Sequence, residues 1–209
     1  MKLYLSSYKL GNDTAGLIGL VNKANAKAAV IDNALDYSTD IERKAKSLQG
    51  ELDDMSLLGF IPDYVNLRDY FGKPGALVKK LSSFDVVWVR GGNSFLLRKA
   101  MEKSGFGKVI DHLIRTNKLV YAGYSAGICV LAPSLQGVEM VDDPNVQADG
   151  YDTGIIWDGY GLIDFYPIVH YDSDHPESQL VDKELAYIKS TGIKYKTLRD
   201  GDTIIIDTP

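Results

Sequence analysis

Cysteine is almost missing from this chain: one residue of 209, Cys129, so no disulfide can form within it and the fold must be held by packing. A lone thiol suits a reducing compartment, and the expected location is the cytoplasm. Histidine is nearly as scarce, with His112, His170 and His175 the complete set. Two neighbouring histidines among scattered carboxylates lack zinc-motif spacing, so neither a metal nor any other cofactor is expected. Long apolar runs are lacking too. The opening Met1-Lys2-Leu3-Tyr4-Leu5 turns polar at Ser6-Ser7, too short for a signal peptide or a membrane span. Nor is there a basic stripe. The 23 lysines and arginines are spread along a chain of net charge -5, which argues against a nucleic-acid partner.

What remains is an ordinary globular composition, 45% hydrophobic and 24% charged, long enough for one α/β domain over residues 1–209. Short apolar runs alternate with segments of helical period, which predicts a mostly parallel central sheet with helices on both faces. Strands are expected at Lys2–Ser6, Ala28–Ile31, Tyr64–Asn66, Val86–Arg90, Leu119–Gly123, Ile163–His170, Tyr195–Leu198 and Thr203–Asp207. Helices are expected at Thr14–Asn25, Ile41–Leu58, Ala76–Leu81, Ser94–Lys103, Lys108–Thr116 and Glu177–Ser190. Pro133 to Gly159, rich in Gly, Asp and Asn, has no sustained period and reads as an irregular excursion with one hairpin; loops of that length are often functional.

The sharpest motif is Gly123-Tyr124-Ser125-Ala126-Gly127, which follows an apolar strand and precedes a helix-compatible segment. That is the context of a G-x-S-x-G nucleophile elbow, in which Ser125 attacks and the Ala126 N–H faces the oxyanion. A second glycine-rich strand end, Arg90-Gly91-Gly92-Asn93-Ser94, lets backbone amides approach a ligand unobstructed. Gly92 is the expected second oxyanion donor. Asn93 and Tyr124 are candidate substrate contacts.

A serine nucleophile needs a base. His112 lies within an amphipathic helix and reads as structural; His175, just before Pro176, reads as a capping or surface residue. His170 ends an apolar strand, where placement is rigid, and is the expected base. The carboxylate that would orient it is open among Asp172, Asp174, Glu177 and Asp200. Cys129, one helical turn past Ser125, reads as a buried structural thiol. Tyr151, Tyr160, Tyr166 and Tyr171 read as core or rim residues.

The two glycine-rich strand ends, followed by Phe165-Tyr166-Pro167-Ile168-Val169-His170, resemble peptidase E and its cyanophycinase relatives. That is the S51 serine peptidases, which have a class I glutamine amidotransferase-like fold, a flavodoxin-like three-layer sandwich. The resemblance implies hydrolysis of a small peptide by Ser125 and His170 through an acyl-enzyme. It places Asp200 where peptidase E has its third, glutamate, triad member. The aspartyl dipeptidases carry an arginine early in the helix after the histidine, suited to an aspartate side chain. This chain has Pro176-Glu177-Ser178-Gln179-Leu180-Val181-Asp182 there, so Gln179 falls near that position and aspartate specificity is not expected to carry over. Two other readings stay open: an α/β-hydrolase esterase using Asp142, Asp143 or Asp149 before His170, and a non-catalytic binding domain.

Overall fold

A computed structural model describes residues 1–208. Its strands are β1 (Lys2–Ser6), β2 (Lys27–Ile31), β3 (Ile61–Tyr64), β4 (Val86–Val89), β5 (Val120–Tyr124), β6 (Tyr166–Ile168), β7 (Tyr195–Thr197) and β8 (Thr203–Asp207). The α-helices are α1 (Thr14–Val21), α2 (Ile41–Leu57), α3 (Pro74–Leu81), α4 (Ser94–Ser104), α5 (Phe106–Val109), α6 (Ala126–Cys129) and α7 (Ser178–Thr191).

Six strands form the central sheet in the order β3-β2-β4-β5-β1-β8, parallel except for β8 on the edge. Side-chain alternation along each strand divides the interior into two cores. Leu3, Leu5, Ala29, Ile31, Val87, Val89 and Tyr121 face one side, where Leu77 and Leu81 of α3, Leu96 and Leu97 of α4, and Val181 and Ile188 of α7 cover them. Tyr4, Ala28, Val30, Val86, Trp88, Ala122 and Tyr124 face the other, under Leu17 and Leu20 of α1 and Met55 of α2. With both faces covered, central strands can be apolar throughout, as Val86-Val87-Trp88-Val89 is. This is the expected three-layer α/β architecture.

Several elements differ from the sequence expectation. β3 spans Ile61–Tyr64 rather than 64–66, pairing Lys27 with Ile61 through Val30 with Tyr64. Pro62 breaks the apolar pattern, but β3 is an edge strand, where a residue without an N–H is tolerated. The helix expected over 108–116 starts at Phe106 and widens into a π-turn at Ile110–Ile114. The strand expected over 163–170 shrinks to Tyr166–Ile168 and pairs in parallel with β7, outside the central sheet. Within the 133–159 excursion, one antiparallel bridge, Ser134 to Asp158, stands where a hairpin was expected.

β1, β4 and β5 end on one rim of the sheet. They deliver Ser7, Gly91 and Ser125 to it, and the small β6–β7 sheet delivers His170 and Asp200.

Candidate active site

Ser125 sits at φ 49° and ψ -121°, in the turn between β5 and α6. Left-handed φ in a residue with a Cβ costs about 1–3 kcal/mol and persists only where the surroundings impose it. Here the neighbouring strand imposes it. A Cβ at Gly123 would stand 2.6 Å from the Val89 carbonyl oxygen, and one at Gly127 only 2.2 Å from the same atom. Both glycines of the motif are therefore required by the packing of the elbow on β4. The Ser125 N–H is anchored on the Ser6 carbonyl at 3.3 Å.

The β4 loop closes against this turn. A Cβ on Gly91 would lie 2.9 Å from Ser125 Cβ, so the position that abuts the serine can carry no side chain. Gly92, at φ 144°, packs on the Ala34 backbone. Among the described residues neither the Gly92 nor the Ala126 N–H donates to a main-chain carbonyl, which leaves both amides unclaimed beside the turn.

His170 is 2% exposed and also has left-handed φ, 56°. Its Nδ1 lies 2.7 Å from Asp200 Oδ1. Since the carboxylate accepts, Nδ1 carries the proton and Nε2 is left with its lone pair. Of the four carboxylates open at sequence level, Asp200 is the one that reaches this ring; Asp172 is exposed and pairs instead with Arg199. Ser7 was not anticipated. Its Oγ accepts the His170 N–H at 2.9 Å and can donate to Asp200 Oδ1 at 3.1 Å or to the Leu198 carbonyl at 3.2 Å. It thereby clasps β1 to both members of the pair. The Asp200 N–H donates to Ser173 Oγ at 2.8 Å. Burial lowers the His170 pKa, the Asp200 hydrogen bond and charge oppose this, and neighbouring His175 adds to the lowering.

The His175 ring stacks on His170 with centroids 3.8 Å apart and planes 8° from parallel, and Tyr8 meets both rings edge-on. His170, His175 and Glu177 offer donor atoms within 4.8 Å of one another. Stacked imidazoles keep their lone pairs in two separate parallel planes, so one ion cannot lie in the plane of both without a ring turning.

Beneath Ser125 lies a narrow cavity of about 10 Å³, room for roughly one water-sized group. Asp142, Glu177 and Glu184 line it with Ser94 and Cys129. Asp142 accepts the Ser94 N–H at 2.7 Å, so it caps α4 rather than serving His170, as the esterase reading would need. Glu184, 3% exposed, accepts from Tyr166 Oη at 2.6 Å. Burial, reinforced by the neighbouring carboxylates, pushes Asp142 up to about 6 and Glu184 to about 8; Glu177 is raised as well. A carboxyl raised on folding binds more protons in the native state than in the unfolded one. Its contribution to stability is therefore lost as pH rises from about 4.5 to about 8. Glu184→Gln keeps an acceptor for Tyr166 and removes the charge. Its Tm is expected to stay flatter across that range and to exceed wild type near pH 8, by ~2–4 °C for each kcal/mol of relieved desolvation. Thermal melts at several pH values check this; a variant less stable than wild type at pH 8 would refute it.

Other candidates fall elsewhere. Asn93 is buried as the N-cap of α4, accepting from the Leu96 N–H and donating to the Asp143 carbonyl. Tyr124 turns to the α2 face, donating to Glu51 Oε1 at 2.6 Å and accepting from Arg90 Nε at 3.2 Å. Gln179 is exposed on the first turn of α7, while Glu177, two residues earlier, reaches the cavity. Cys129 is buried as expected, with its thiol pKa raised by burial, yet it lines the cavity under the serine.

The model of peptidase family S51 matches residues 19–208, nearly the whole chain. The chain belongs to peptidase family S51. Similar proteins include an uncharacterized peptidase of Pasteurella multocida, 26% identical over 162 residues that cover 71% of this chain and 75% of that protein. An uncharacterized peptidase of Listeria monocytogenes is 31% identical over 47% of this chain and 46% of its own length. A Streptomyces coelicolor protein named peptidase E is 28% identical over 64% of this chain, but these residues span only 53% of that protein. A crystal structure of a Listeria monocytogenes protein assigned to peptidase E superposes with a TM-score of 0.72 at 22% identity, covering 98% of this chain and 93% of that one. At that identity the likeness speaks for the fold. The S51 membership makes the chain a peptidase by family. No helix among the described residues is long and apolar enough to cross a membrane.

Proposed function

We propose that this S51 protein is a serine peptidase of short peptides with free amino termini, working through an acyl-enzyme. One observation carries the reading: a strained Ser125 elbow shares its rim with a buried His170 whose Nδ1 is held 2.7 Å from Asp200. In this mechanism His170 Nε2 takes the Ser125 proton as Oγ attacks the scissile carbonyl carbon. The Gly92 and Ala126 amides receive the oxyanion. The protonated ring then gives that proton to the leaving amine, and water attacks the ester to return Ser125. Asp200 keeps the proton on Nδ1 and stabilises the transient imidazolium. Ser125 Oγ makes no hydrogen bond among the described residues; in hydrolases lacking substrate such bonds are commonly long and tighten on binding.

The cavity under Ser125 supports a departure from aspartate specificity. Where an aspartyl dipeptidase would need a cation, this one presents the carboxyl groups of Asp142, Glu177 and Glu184 and no lysine or arginine among the lining residues. A water-sized space walled by carboxylates suits an ammonium. The buried, unpaired Cys129 fits a reducing cytoplasm.

Hydrolysis of unblocked dipeptides and aminoacyl p-nitroanilides tests the reading, together with labelling by a fluorophosphonate. The expected result is turnover and labelling at Ser125, with aspartyl substrates slower than alanyl or lysyl ones by about tenfold or more. Silence across the panel without labelling would sink the peptidase reading, and a preference for aspartate would sink the specificity.

A further inference from the structure

Three cations without an ion-pair partner among the described residues, Lys9, Arg43 and Lys46, surround a second recess at the same rim. That recess is a groove of about 460 Å³ between the β1 end and α2. A fourth cation, Arg90, forms part of its wall. Its Nε and one terminal nitrogen are fixed on Tyr124 Oη at 3.2 Å and Ser47 Oγ at 2.8 Å. Two carboxylates share the lining. Both oxygens of Glu51 are taken, by the Trp88 indole N–H at 2.6 Å and by Tyr124, and Glu51 stands 3.7 Å from Arg90. That leaves Asp54 facing the three free cations. On a chain of net charge -5, unpaired positive charge gathered around one groove is an anomaly that an anionic ligand would resolve.

The groove's position says which part of a substrate would reach it. Tyr8 belongs to its wall and also packs edge-on against His170, with centroids 5.8 Å apart. Arg90 immediately precedes Gly91, the residue that abuts Ser125. A leaving amine must lie beside His170 to receive its proton, so the chain attached to that amine departs past Tyr8 into the groove. The carboxylate-walled cavity lies instead under Ser125, among α4, α6 and α7.

We propose that the groove of Lys9, Arg43, Lys46 and Arg90 is the leaving-group subsite and binds the terminal carboxylate of the departing peptide fragment. The inference rests on the peptidase reading for its orientation. With the acidic cavity on the amino side, the site is polarised along the substrate, matching a short zwitterion and disfavouring interior segments of long chains. Guanidinium and ammonium groups on α2 can follow carboxylates at slightly different distances, so dipeptides and tripeptides are both accommodated.

The test compares Ala-Ala with Ala-Ala amide on the full chain, wild type beside a doubly reversed Arg43→Glu, Lys46→Glu protein. For wild type, kcat/KM is expected to favour the free acid by about tenfold, mostly through KM, and the preference should shrink at about 0.5 M salt. In the double variant the acid-to-amide ratio should fall to about one or below. Because each protein supplies its own ratio, a general loss of activity does not imitate this result. A wild-type ratio near one, or a ratio unchanged by the charge reversal, overturns the proposal. The same two ligands are titrated by calorimetry onto Ser125→Ala protein with and without the reversal. An acid preference that depends on Arg43 and Lys46 there upholds the groove even if no peptide is ever cleaved, and its absence refutes the groove whatever the turnover shows.

Discussion

Ser125→Ala is expected to abolish peptide hydrolysis, a fall of about 10⁴- to 10⁶-fold in kcat, with no loss of folded protein. The same residue makes a second prediction of opposite sign. Ser125 holds φ 49° because Gly123 and Gly127 bring the elbow against the Val89 carbonyl, and any residue with a Cβ pays for that conformation. Glycine enters that region without steric cost. Ser125→Gly should therefore be as inactive as Ser125→Ala but more stable, by about 1 kcal/mol, or ~2–4 °C in Tm. Steady-state rates and thermal melts on the three proteins decide it. Retained turnover in Ser125→Ala would remove the serine from the mechanism. A Ser125→Gly protein melting below Ser125→Ala would show that the elbow is unstrained.

The second large effect falls on Asp200. Asp200→Asn should lower kcat by about 10²- to 10⁴-fold, since an amide can present its N–H to Nδ1 and hold the imidazole in the wrong tautomer. The pH profile carries the sign. In wild type, desolvation of His170 outweighs the Asp200 hydrogen bond and charge, so the ring stays neutral to lower pH than a free histidine. The acid limb of kcat/KM should then fall below the ordinary value of about 6.5. Asparagine removes both influences that favour the protonated ring, so the limb of the residual activity should move further toward acid. Full activity in Asp200→Asn, or a limb displaced toward alkali, would mean that another group orients the base.

The elbow and the glycine-rich end of β4 were legible in the sequence because each is a local device. A strand, a tight turn and a helix start leave their marks within about ten consecutive residues. His170 was legible for a similar reason, as a polar residue closing an apolar strand, although its strand proved to be three residues long and paired away from the main sheet. What could not be read was anything assembled by chain closure. Ser7 and Asp200 are joined across 193 positions, and nothing near Ser7 distinguishes it from Ser6 beside it. The acidic cavity brings Asp142 of the excursion against Glu177 and Glu184 of the α7 region, a juxtaposition that no local pattern announces. Tyr124, the neighbour of Ser125, was read as a substrate contact; strand alternation turns it to the α2 face, where it bonds Glu51 and lines the groove beside Arg90. Gln179, read as a substrate contact, stands in solvent on the first turn of α7, while Glu177 at the N-cap reaches the cavity.

The central sheet supplies the serine and its flanking amides, the small β6–β7 sheet supplies the histidine and aspartate, and Ser7 joins the two. Much of the cavity wall has another origin: Val138, Val141 and Asp142 come from the irregular excursion that links the two sheets, and Glu177, Val181 and Glu184 from the start of α7. In the proposed mechanism, reactivity and selectivity are thus written on different stretches of chain. Insertions, deletions or charge changes in the excursion can redraw what is accepted without shifting the Ser125 turn or the His170–Asp200 contact. Such a division gives natural variation a safe place to act, and it gives protein engineering a short, contiguous region in which to diversify the pocket by recombination.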